Sequence, residues 1–190
     1  MLTGFRRVKS ERGYSLIELM LVVGILGVLG TMAIVQFNVA QPTLKGDGAM
    51  RVIMGQIRTA RELAISERRY MRVAFTSPNK LEILREEVPG PTTVVKGQAI
   101  LEGNVQFSLI SSLSDTPDAF GKAAPIDFGT ALNIKFSPDG TLVNQDGVST
   151  NGTVFLAIPN VSLSARAVTV LGSTGRIRGY RWVGNSWKLV

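Results

Sequence analysis

The chain has 190 residues, a length that fits one domain of ordinary size with an appended element and does not supply two separate large cores. It contains neither cysteine nor histidine, which excludes thiol and histidine catalysis, the common zinc sites and any disulfide framework. The formal net charge of +7 favours acidic partners such as nucleic acid or anionic lipid headgroups.

Part of that charge belongs to the N-terminus. Arg6, Arg7, Lys9 and Arg12 precede Gly13 with Glu11 as the only acid, and without this segment 17 basic residues face 13 acidic ones, a net of +4. The run from Leu19 to Leu44 carries no charge at all. Its most apolar part, Leu19 to Val35, is long enough as a helix, about 26 Å, to cross most of a bilayer core, and the full run extends further. The basic flank predicts a cytoplasmic N-terminus and a translocated remainder. A secretory signal peptide fits less well, because Thr31-Met32-Ala33 is a poor small-x-small cleavage site and the apolar run has a glutamate, Glu18, at its start. An unpaired carboxylate in lipid costs a few kcal/mol, so Glu18 points to a function.

Arg12-Gly13-Tyr14-Ser15-Leu16-Ile17-Glu18 resembles the prepilin processing site of type IV pilins and type II secretion pseudopilins. The resemblance implies cleavage between Gly13 and Tyr14 by a prepilin peptidase, methylation of the new N-terminus, and a mature chain whose fifth residue is Glu18. Tyr14 stands where phenylalanine is usual and Ser15 where threonine is usual, so an aromatic and a hydroxyl are retained. A carboxylate four residues from the new α-amine lies at the positive end of the helix dipole. The resemblance further implies that Glu18 pairs with the amine of an adjoining subunit and so sets register, since a shifted subunit would leave two charges unpaired.

Pro42, Gly46 and Gly48 predict a bend or break after the apolar run. Met50, Ile53, Met54, Ile57, Ala60 and Ala64 then recur at helical spacing, with Arg51, Arg58, Arg61, Glu62 and Arg69 elsewhere, which describes an amphipathic helix with one face on a core. Beyond it the pattern changes to short strands. Tyr70 to Phe75 and Leu81 to Leu84 form an expected hairpin, followed by strands at Val105 to Ile110, Leu132 to Phe136, Thr153 to Ile158, Ala167 to Leu171 and Arg176 to Trp182. Ser137-Pro138-Asp139-Gly140 is a turn signal, and Ser111 to Gly121 a polar surface loop. The expected architecture is α+β: residues 1–13 a leader, 14–44 a transmembrane and assembly helix, and 45–190 a head in which the amphipathic half of a long pilin-like helix packs on small antiparallel sheets.

Phe136-Ser137-Pro138-Asp139-Gly140-Thr141, with Gly175-Arg176-Ile177-Arg178 further on, resembles the head shared by H-type type II secretion pseudopilins and FimT-type minor pilins. The resemblance implies a low-abundance subunit at or near a filament tip, anchored in the bacterial inner membrane with a periplasmic head. Its partners would be major and minor pilins or pseudopilins and the inner-membrane assembly platform. Some FimT-type proteins bind DNA through a Gly-Arg-x-Arg motif, which here is Gly175 to Arg178. From Gly147 to the C-terminus there is no acidic residue, while Arg166, Arg176, Arg178, Arg181 and Lys188 are basic. Arg176 and Arg178 fall on one face of the expected strand and Arg181 on the other unless Gly179 breaks the alternation. Arg176, Arg178, Arg181 and Lys188 are thus candidate DNA contacts, with Tyr180, Trp182 and Trp187 as stacking surfaces or as core. No nucleophile elbow and no phosphate loop occur, and no catalytic residue, cofactor or metal is expected. Glu86-Glu87 reads as a solvated pair, and Asp139 and Asp146 as turn residues.

Overall fold

A computed structural model describes residues 13–87, 92–130 and 133–190. The leader as far as Arg12 and the Pro89-Gly90-Pro91 stretch, a turn signal in the sequence, lie outside the described residues. The chain divides into two compact units, Met1–Ala40 and Gln41–Val190.

In the first unit the described residues form the start of helix α1, which runs from Leu16 to Glu67 over 52 residues. Leu16, Ile17, Leu19, Met20, Leu21, Ile25, Leu26 and Leu29 are all exposed. By length and composition α1 is long and apolar enough to cross a membrane. The predicted break near Pro42 does not occur, because α1 is continuous with Pro42 inside it. An interior proline removes its own N–H from the ladder and crowds the carbonyl four residues back, a cost that tertiary contacts holding the following turn can offset. They do so here: the Arg166 guanidinium donates to the Thr43 carbonyl at 2.9 Å and to Asp47 at 2.6 Å. Gly46 is a point of close approach and no breaker, since a Cβ there would lie 2.4 Å from the Ser164 carbonyl oxygen.

In the second unit α1 packs on two sheets. The first contains β1 (Met71–Thr76), β2 (Lys80–Glu86), β3 (Thr93–Ile100), β6 (Lys135–Phe136) and β7 (Leu142–Val143), in the order β3-β2-β1-β6-β7. The second contains β4 (Gln106–Phe107), β8 (Gly152–Ala157), β9 (Arg166–Leu171), β10 (Arg176–Val183) and β11 (Ser186–Leu189), in the order β11-β10-β9-β8-β4, with β5 (Ile126–Asp127) also paired to β8. Every strand pairing in the two sheets is antiparallel. The Met50, Ile53, Ile57, Ala60 and Ala64 stripe is buried against Met71, Val73, Leu81 and Ile83 of the first sheet and Val154, Leu156, Val168 and Val170 of the second. This is the α+β, pilin-like architecture expected: a long apolar and then amphipathic helix on an antiparallel head.

The expected β1–β2 hairpin, β8, β9 and β10 form within a residue or two of their predicted ends. Val105 to Ile110 shrinks to β4, and of Leu132 to Phe136 only β6 is a strand, Leu132 itself lying outside the described residues. β3, β5, β7 and β11 were not expected. The second sheet is buried on both faces: opposite α1, Phe155, Ala157, Ala165, Ala167, Tyr180 and Trp187 pack with Leu113. That is why β8 reads as a continuous apolar run rather than an alternation. The Ser111 to Gly121 segment, expected to be a surface loop, in fact covers this second face, with Leu113 and Thr116 buried.

Candidate assembly and anion-binding sites

At the N-terminal end, Gly13, Tyr14 and Ser15 precede α1 and are exposed, Tyr14 at 84%. The Leu19 amide donates to the Ser15 carbonyl at 3.1 Å, so helical bonding begins at Ser15 and places Glu18 in the first turn, where it is exposed. The carboxylate there faces the unsatisfied N–H end of the helix. The Gly13–Tyr14 bond is thus an accessible peptide immediately before a helix.

At the C-terminal end, β10 holds a regular register against β9 from Arg176↔Leu171 to Arg181↔Arg166, so Gly179 does not break the alternation. Arg176, Arg178 and Tyr180 share one face and Ile177, Gly179 and Arg181 the other. The α1-facing side is fixed by Gly179, where a Cβ would lie 2.7 Å from Met54 Sδ and 2.9 Å from Met50 Sδ. The four candidate cations therefore separate. Arg178 donates to Asp118 at 2.7 Å, and Asp118 also accepts from Thr169 at 2.6 Å and from Tyr180 at 2.9 Å. Burial pushes the Asp118 carboxyl up, but these three bonds outweigh it and the net direction is down. Arg181 forms a fork with Asp47 at 3.1 and 2.6 Å. Asp47 also receives the fully buried Arg166, whose pKa burial lowers despite that carboxylate. The side chains of Arg176 and Lys188 are exposed and have no hydrogen-bond or ion-pair partner among the described residues.

The long acid-free tail concealed this pairing. Asp118 and Asp47 are 60 and 134 residues from the arginines they bind, so no local pattern signals them. The aromatics divide likewise: Tyr180 and Trp187 are buried, and Trp187 donates to the Ser114 carbonyl at 2.8 Å, which removes both as stacking surfaces for bases. Glu86 and Glu87 are not merely solvated, since Glu86 pairs with Lys135 at 3.0 Å and Glu87 with Arg85.

Sequence reasoning missed a second basic cluster. Arg58, Arg61 and Glu62 of α1, with Gly175, Arg176 and Ile177 at the β9–β10 turn, line a cleft of about 220 Å³. Gly175 has φ +63°, and a Cβ there would lie 2.3 Å from the Gly140 oxygen and 2.6 Å from Arg61 Nε. The glycine of Gly-Arg-Ile-Arg is therefore required by the turn. Arg61 donates through Nε to Gly140 at 3.0 Å, while Arg58 has no partner. Three guanidinium groups around one carboxylate suit an anion. The helical spacing of Arg58 and Arg61 was legible, but their meeting with Arg176 was not. Among the described residues no group of three or more His, Cys, Asp or Glu is placed to hold a metal ion.

Residues 8–34 match the prokaryotic N-terminal methylation motif. No curated protein and no solved structure matches the chain. A methylation motif leading into one long apolar helix, followed by a helix-and-sheet head, is consistent with the broad type IV pilin and pseudopilin superfamily. It is equally consistent with a single-pass membrane protein whose head lies outside the cytoplasm.

Proposed function

We propose that the chain is a minor subunit of a pilin-like filament, most like the H-type pseudopilin of type II secretion, acting at or near the tip without chemistry of its own. The observation that carries this reading is the methylation motif at residues 8–34, which leads into the long apolar start of α1. A prepilin peptidase cuts after Gly13, Tyr14 is methylated, and Glu18 pairs with the new amine of a neighbouring subunit during insertion by the inner-membrane assembly platform. Intact-mass measurement of chain made with a prepilin peptidase is expected to show loss of residues 1–13 and one added methyl group. In the same preparation Glu18→Ala is expected to remain membrane-inserted but to be depleted from filaments. An uncut N-terminus, or normal incorporation of the alanine form, refutes the reading.

A second reading, a FimT-type subunit that binds DNA for uptake, is favoured by the cleft of Arg58, Arg61 and Arg176. Arg178 and Arg181 are engaged with Asp118 and Asp47, so the contacts shift to this cleft, with Lys188 as an outlying cation. Processed chain in neutral detergent, titrated with duplex DNA at low salt, is then expected to bind without sequence preference. Affinity should fall steeply with salt, and Arg58→Ala/Arg176→Ala should lower the log–log salt slope by about two. Unchanged affinity and slope in that variant exclude the second reading.

A further inference from the structure

β3 is the outer strand of the first sheet and the longest free edge among the described residues: β7 and β4 have two residues each and β11 four, whereas β3 has eight. Edges of this length are ordinarily blunted by proline or by an outward lysine. β3 has no proline, and its one lysine, Lys96, turns back to pair with Glu67 of α1 at 2.8 Å. Val94, Val95 and Ile100 are 44, 55 and 58% exposed.

The hydrogen bonds at the two ends of β3 define which backbone groups are free. Leu101 donates to the Asn79 carbonyl at 2.9 Å, and Glu87 to the Thr92 carbonyl at 3.0 Å. In an antiparallel ladder the bonded residues alternate. Counting inward from Leu101, Ala99 and Gly97 face β2 while Ile100 and Gln98 face away. Counting from Thr92, Val94 faces β2 while Thr93 and Val95 face away. The register shift between Ile83 and Leu84, which oppose Gly97 and Val95, leaves Lys96 as the additional residue of a bulge.

The outward groups are therefore at 93, 95, 98 and 100, a palindromic spacing of two, three and two. A regular strand, which repeats every second residue, matches only half of it. A second β3 running antiparallel matches all of it, with Thr93 opposite Ile100 and Val95 opposite Gln98, each pair exchanging two bonds for about eight in all. No like charges face each other in this register, since Lys96 opposes Gly97. We propose that β3 is a self-association edge, through which two copies of this chain join their first sheets about a two-fold axis.

The native chain lacks cysteine, so introduced thiols report without background. In the proposed register Val94 lies opposite Ala99 as a non-hydrogen-bonded pair, within disulfide reach, whereas either residue is far from its own counterpart. Differently tagged full-length Val94→Cys and Ala99→Cys chains, mixed in detergent and oxidised, are expected to yield disulfide-linked heterodimers, and neither alone a linked homodimer. Val95→Pro deletes an outward donor without touching the β2 ladder, and is expected to lower the linked fraction on the order of tenfold at limiting concentration. Gln98→Pro should do the same, and the thermal melt of each proline variant verifies that the head is folded. Absence of heterodimers, linked homodimers of either single variant, or undiminished linkage in folded Val95→Pro and Gln98→Pro chains overturns the proposal.

Discussion

Asp118 shows how one side chain can convert a loop into part of the core. It reaches from the Ser111 to Gly121 segment to three groups on β9 and β10, and its side chain is 10% exposed against 36% for Arg178. Removing it leaves the Thr169 and Tyr180 hydroxyls without their acceptor beneath a covering loop. Asp118→Ala is therefore expected to destabilise the head by about 2–3 kcal/mol, the half-exposed Arg178 contributing the smaller share. The sign with pH follows from the depressed carboxyl. Its stabilisation is complete above the ordinary value of 3.8 and disappears as pH falls through the folded value. Asp139 behaves alike: bonds from Ser137 and then Thr141 hold it at about 2. Melting temperature against pH should thus show an acid limb below about pH 4, shallower in Asp118→Ala. The sequence displayed the acid and the arginine but not their meeting, because the register of β10 decides which face Arg178 takes.

Among the elements, α1 sets opposing tests at its glycines. At Gly48 and Gly55 a Cβ meets nothing within 4 Å. Alanine there should stabilise the helix by about 0.5–1 kcal/mol. At Gly46 the same methyl would lie 2.4 Å from a backbone oxygen and 3.3 Å from the Arg166 guanidinium carbon. Backbone cannot yield as a flexible side chain does, so overpacking of about 1–3 kcal/mol outweighs the propensity gain, and Gly46→Ala should lower stability. Thermal melts of the three variants are expected to order Gly46→Ala below wild type and Gly48→Ala and Gly55→Ala above it. The stretch around Pro42 also shows where local reading stops. Pro42, Gly46 and Gly48 predict a bend or break, yet α1 runs through them, and Arg166, a strand residue 119 and 123 positions further along the chain from its partners, holds the turn. Strongly periodic segments, the Met50 to Ala64 stripe and the apolar β8 and β9, were legible because burial imposes their pattern. β3 was not, since a strand exposed along most of its length carries no alternation to read.

Across the whole molecule, the contacts that close the core join the beginning of the head to its end. Asp47 meets Arg166 and Arg181 at separations of 119 and 134 residues, and Met50 and Met54 await Gly179. Such a topology has a high contact order, and its folding rate is limited by loop closure rather than by local propensity. The apolar stripe of α1 is made first and covered last. Until β8, β9 and β10 arrive, that stripe stands open beside the most apolar segment of the chain, so the head cannot complete its fold stepwise behind the ribosome or the translocon. A chain cut short before Gly152 would keep its anchor and its first hairpin yet lack the strands that cover half the stripe, which makes roughly the last fifth of the sequence the kinetic gate for all that precedes it.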